Sequence, residues 1–149
     1  YMEMHRAFDA TNIEVLIRMG YFEEFGSSGK LLKVFTAFRE GKNRFSKSHV
    51  LATQEKRLQA LREEAAGMPE EEIPLAEQVR FEVTYFGTVL SSFPECKAQY
   101  AVLDVDDRYS PKLRLYNLAS GTVGVMKRRK YQYKSCPVKA GDVIRLLDW

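Results

Sequence analysis

Between Thr11 and Gly41 the apolar residues recur at helical spacing in two short blocks separated by glycine. A Thr11/Glu14 capping box opens the first block, each side chain satisfying an orphan amide, and Ile13, Leu16 and Ile17 form its apolar face. Gly20 ends it, because glycine takes the left-handed conformation that closes a helix, and Phe22 and Phe25 cover the turn. Ser27 or Ser28 caps the second helix, in which Leu31, Val34, Phe35 and Phe38 share a face as far as Gly41. A longer amphipathic helix is expected over Ser46 to Ala66, then an acidic connection at Glu70, Glu71 and Glu72. Pro74 suits the first turn of a further helix from Leu75 to about Leu90, which Ser91 to Pro94 terminates.

Beyond that point the period changes from helical to two-residue alternation. Tyr100 to Asp106, Lys112 to Leu118, Thr122 to Tyr133 and Asp142 to Leu147 read as strands, with turns at Asp106-Asp107, Ser110-Pro111, Ser120-Gly121 and Ala140-Gly141. The expected fold class is α+β, a helical region over residues 1–95 followed by a small antiparallel β domain over 96–149. Four closely spaced strands suit an OB-like barrel. The fifth is not evident, so either the barrel continues beyond Trp149 in a longer parent or the sheet is smaller.

Composition narrows the class. At 45% hydrophobic and 29% charged residues the chain is globular rather than disordered. It has no apolar run long enough to span a membrane and no signal-peptide order at its start, so a cytoplasmic protein with no membrane partner is expected. A start at Tyr1 and a stop at Trp149 suggest a piece of a longer protein. Cys96 and Cys136 match no metal-ligand spacing and read as reduced structural thiols. The net charge of +3 is uneven: Ala98 to Trp149 carries ten Lys or Arg against five Asp, a local excess that suits a phosphate backbone.

Two segments stand out chemically. Lys127 to Lys134 packs five cations and two tyrosines into eight residues. As a strand it puts Lys127, Arg129, Tyr131 and Tyr133 on one face, where cations track phosphates and rings stack on bases; an exposed edge strand rich in lysine has the same composition. In the helical pair, the amides around Gly20, Tyr21 and Phe22, with Lys30 and Lys33 at the next helix start, form a candidate phosphate grip. Asp104 and Asp106 have the Asp-x-Asp spacing of a metal site, but no third acidic residue or phosphate loop accompanies them. His5 and His49 are isolated, and no catalytic motif is present, so no catalytic residue, metal site or cofactor is assigned.

The order of these parts resembles the C-terminal region of the bacterial DNA polymerase III alpha-subunit family. Ile13 to Gly26 resembles that family's helix-hairpin-helix segment, and Phe81 to Pro94 is similar to its Glu-x-x-x-Leu-Gly-x-x-x-Ser-x-His-Pro element. Phe86 and Phe93 stand where that element has leucine and histidine, and the β segment from Gln99 stands where the family has its OB domain. The resemblance implies a hairpin on duplex DNA, an OB domain near single-stranded template, and a magnesium-dependent active site in the parent's palm, outside these residues. The expectation is a DNA-binding fragment of a replicative polymerase. The alternative is a scaffold that docks another replisome subunit.

Overall fold

The computed structural model describes residues 9–146, which form five α-helices and one four-stranded antiparallel sheet in two compact units divided between Ile73 and Pro74. The α+β class is as expected. The packing divide lies earlier than the change of periodicity, because the helix after Pro74 packs against the strands. No described helix is long and apolar enough to cross a membrane.

The first unit holds α1 (Ala10–Arg18), α2 (Ser28–Glu40) and α3 (Leu51–Ala66). Asp9, not Thr11, caps α1, its carboxylate accepting from the Asn12 N–H at 2.8 Å. Glu14 instead pairs with Arg18 one turn on, at 3.0 Å. Gly20 ends α1 as expected, at φ +76°, and its N–H donates to Ile17 O while that of Tyr21 donates to Leu16 O. These two bonds make a Schellman motif. Ile13, Ile17 and Phe35 form the buried core with Phe22 and Leu31 against it, whereas Phe25, in the short 3₁₀ turn Glu23–Phe25, is 69% exposed.

Helix α3 begins five residues later than its apolar pattern predicts. Ser46 and His49 close a turn of their own, with His49 N–H donating to Ser46 O at 3.1 Å and the Ser46 N–H donating to His49 Nδ1 at 3.1 Å. Local bonds of this kind compete with helix. None of the α3 residues is fully buried, and its half-buried Leu58 and Leu61 border an open apolar groove of about 610 Å³.

The second unit holds α4 (Leu75–Phe86), β1 (Gln99–Asp106), β2 (Lys112–Asn117), β3 (Val123–Lys127), α5 (Lys130–Ser135) and β4 (Val143–Arg145). Sheet order is β3-β2-β1-β4, three strands in a meander and a fourth that returns beside the first, which is a Greek key. A bulge at Leu103 shifts the β1/β2 register, so that Val105 falls on the face of Val102 while Ala101 and Leu103 reach α4. There they pack with Val79, Val83, Val89 and Leu118. The opposite face buries Val102, Leu113, Leu115 and Ile144, with Tyr133 and Val138 closing over them. The expected fourth strand is shorter than predicted, and Leu147, where it was expected to end, lies outside the described residues.

Two sequence expectations fail here for local reasons. Helix α4 stops at Phe86 and not near Leu90, because Gly87 adopts φ +71° and its N–H caps back to Val83 O. The third strand stops at Lys127, and Lys130–Ser135 forms a helix where strand alternation was expected. The Gln132 side chain accepts from the Arg129 N–H at 3.4 Å and so starts that turn.

Candidate nucleic-acid interface

The loop after α4 is built around one buried carboxyl group. Glu82 has no exposed surface and lies within the apolar layer of α4. Its Oε2 accepts the N–H groups of Leu90 at 2.6 Å and Ser91 at 3.0 Å, and its Oε1 accepts Gln78 Nε2 at 2.8 Å and the Ser91 hydroxyl. A buried carboxyl is costly unless its acceptor positions are filled. Here the spacing Glu82, Gly87, Ser91 meets that condition: the glycine reverses the chain, and Ser91 comes back onto the glutamate. These are the Glu, Gly and Ser positions of the Phe81 to Pro94 element. The side chains lock the fold of this loop.

The residues from Lys127 onward do not share a face. Lys127 ends β3, exposed; Arg129 precedes α5; Tyr131 on α5 is 64% exposed. Tyr133 turns inward, its hydroxyl donating to Val138 O at 2.8 Å, and burial, with Asp107 and Asp142 nearby, pushes its phenol pKa up. Two residues apart on a helix is about 200° of rotation, so the two tyrosines diverge. Tyr133 is a core residue, and the expected four-residue face is replaced by another.

That other face follows from the register. Lys112 pairs with Lys127, Arg114 with Val125 and Tyr116 with Val123, so these side chains project from one side of β2 and β3. Tyr116 reaches the α4 core, but Lys112, Arg114 and Lys127 are exposed, and Val123 and Val125 are 56% and 67% exposed. Like charges directly opposite each other repel and destabilise a sheet. No ion pair is formed by Lys112, Arg114 or Lys127 among the described residues. Alternation along β2 places Lys112 and Arg114 on one face, and the β2/β3 register brings Lys127 beside them.

Asp104 and Asp106 lie on the same side of the sheet, as register partners of Arg114 and Lys112. Asp106 is engaged in the β1/β2 turn, its two oxygens taking Arg108 Nε at 3.0 Å and Nη2 at 3.2 Å, and that guanidinium holds its pKa below the usual carboxylate range. Tyr109 in the same turn is 88% exposed. Among the described residues no three His, Cys, Asp or Glu side chains are grouped to hold a metal ion.

In the first unit the amides of Gly20 and Tyr21 already have acceptors in the α1 cap, and Phe22 is half-buried against Ile13 and Ile17. The cations are engaged too. Lys30 Nζ meets Glu70 Oε1 at 2.7 Å, and Lys33 pairs with Glu71. Glu70 Oε2 also accepts the Ser27 N–H at 2.8 Å, and these contacts, the Lys30 bond foremost, lower the Glu70 pKa from 4.5 to about 2. The acidic segment thus lies on the start of α2, a position that neither its composition nor its period signalled. Comparison of the chain with protein-family models, with curated proteins and with solved structures found no match.

Proposed function

We propose that this chain positions DNA for a replicative polymerase related to the DNA polymerase III alpha-subunit family, holding phosphates and supplying no catalytic group. The observation that carries the reading is the exposed β2/β3 face, where Lys112, Arg114 and Lys127 project together, the first two across the ladder from Asp106 and Asp104, and none of the three in an ion pair among the described residues. An anion between Lys112 and Lys127 would relieve their repulsion. Tyr109, exposed in the turn that leads into Lys112, offers a ring for base stacking, worth about 1–3 kcal/mol per base in single-strand binders.

The Greek-key order supports an OB-like identity for the second unit, since OB folds are five-stranded Greek-key barrels that use the strand 2–3 face and the first loop for oligonucleotides. The cations here lie on β2 and β3, and Tyr109 lies in the first loop. In the first unit, α1, the Schellman turn and α2 are the parts of a helix-hairpin-helix, with Lys30 and Lys33 as the cations for duplex backbone. The Glu82–Gly87–Ser91 lock supports the same family, because it gives a physical reason for the spacing of that element.

A second reading, docking of another replisome subunit, is favoured by Val123 and Val125 on the edge strand and by the exposed Tyr85 and Phe86 on α4. Salt separates the two. Binding of a fluorescent single-stranded oligonucleotide that weakens steeply with salt, and weakens further in K112A/R114A/K127A, supports the DNA reading; no binding at low salt overturns it.

A further inference from the structure

We propose that the acidic segment Glu70–Glu72 is an internal stand-in for a DNA phosphate, seated on the α2 start and on Lys30 and Lys33, which duplex DNA must displace. The inference rests on the hairpin part of the proposed function and adds its regulation. Four observations join in it. The Glu70 carboxylate makes the contacts a backbone phosphate would make there, one oxygen on Lys30 Nζ at 2.7 Å and the other on the Ser27 N–H at 2.8 Å. Glu71 pairs with Lys33, the second hairpin cation. The Glu71 N–H donates to Ser27 Oγ at 2.8 Å, so the backbone of the segment is held as well as its charges. Gly29 is buried beneath it, and a Cβ at that position would collide with the Glu71 carbonyl.

The lysines therefore face a carboxylate in the free protein, while Glu70 and Glu71 remain exposed on their outer side. Exposed pairs of this kind are weak, so a polyanion with several phosphates can replace them. The strap then acts as a threshold. It blocks isolated anions and yields to an extended backbone that meets both lysines at once.

The test is duplex binding by the full chain, read by fluorescence anisotropy at low salt. E70Q/E71Q is expected to tighten duplex binding about tenfold, as two weak competing pairs are removed. E63Q/E64Q on α3 makes the same change in net charge and is expected to tighten it much less. Gly29→Ala, which crowds the strap backbone without altering charge, is expected to act in the same direction as E70Q/E71Q. Adding K30A/K33A to E70Q/E71Q removes the gain. Equal tightening by E70Q/E71Q and E63Q/E64Q, or none by either while K30A/K33A weakens binding, overturns the strap and leaves the hairpin reading intact. If K30A/K33A itself leaves duplex binding unchanged, the hairpin reading falls and the strap with it.

Discussion

Glu82 shows how much one side chain can organise when its surroundings are complete. Its carboxyl group fixes the start of the loop after α4 through the Leu90 and Ser91 amides. Glu82→Ala would leave those amides and Gln78 short of an acceptor, and is expected to cost about 3 kcal/mol, measured by urea denaturation. Glu70 makes the opposite case, an exposed carboxylate whose partners are all at the surface. Its folded pKa lies below its ordinary value, so its hold on the strap is complete above about pH 4.5 and is lost as pH falls through about 2. An NMR titration of the Glu70 carboxyl carbon should have its midpoint near the lower value and move upward in Lys30→Ala. The thiols differ likewise: burial, with Glu95 beside it, pushes Cys96 up, and Cys136 is exposed. A thiol reagent should label Cys136 in the native protein and Cys96 only on unfolding.

At the scale of elements, the segments that the sequence made legible were those whose apolar period agreed with their caps. Val79 and Val83 lie buried one helical turn apart on α4, and Leu113 and Leu115 lie buried on alternate positions of β2. Leu113 has no exposed surface, so Leu113→Ala should lower stability by about 2–5 kcal/mol in the same denaturation assay. What misled was apolar pattern running past a backbone signal. Val89 and Leu90 prolong the period of α4, yet Gly87 turns the chain before them. In α5 the alternation of cations and tyrosines looked like a strand, while a short helix capped by Gln132 sends Tyr133 into the core. Gly20 was legible because its period and its cap coincide. A side chain there must adopt φ +76° and meet Glu23, so Gly20→Ala should cost about 1 kcal/mol or more, seen as a lower Tm.

For the whole molecule, charge is distributed by fold and not by sequence block. The basic excess after Ala98 was visible in the chain, but the dense run from Lys127 to Lys134 divides between a strand end, a loop and a helix. The face that gathers cations draws them from two strands, and their grouping depends on a register fixed by the buried Leu113 and Leu115 on the other side. In the helical unit the cations of the hairpin lie under an acidic strap from more than thirty residues away. The two units thus differ in how their cations lie: Lys112, Arg114 and Lys127 are exposed on a sheet face that Asp104 and Asp106 share, and Lys30 and Lys33 are paired with Glu70 and Glu71.

The proposed role of Lys112, Arg114 and Lys127 in holding phosphates stands or falls with a salt titration of single-strand binding. With three contacts at about 0.7 counterions each, K112A/R114A/K127A should reduce the slope of log affinity against log salt by about 2, with affinity falling most at low salt. An unchanged slope and affinity in a variant that still folds would contradict the claim.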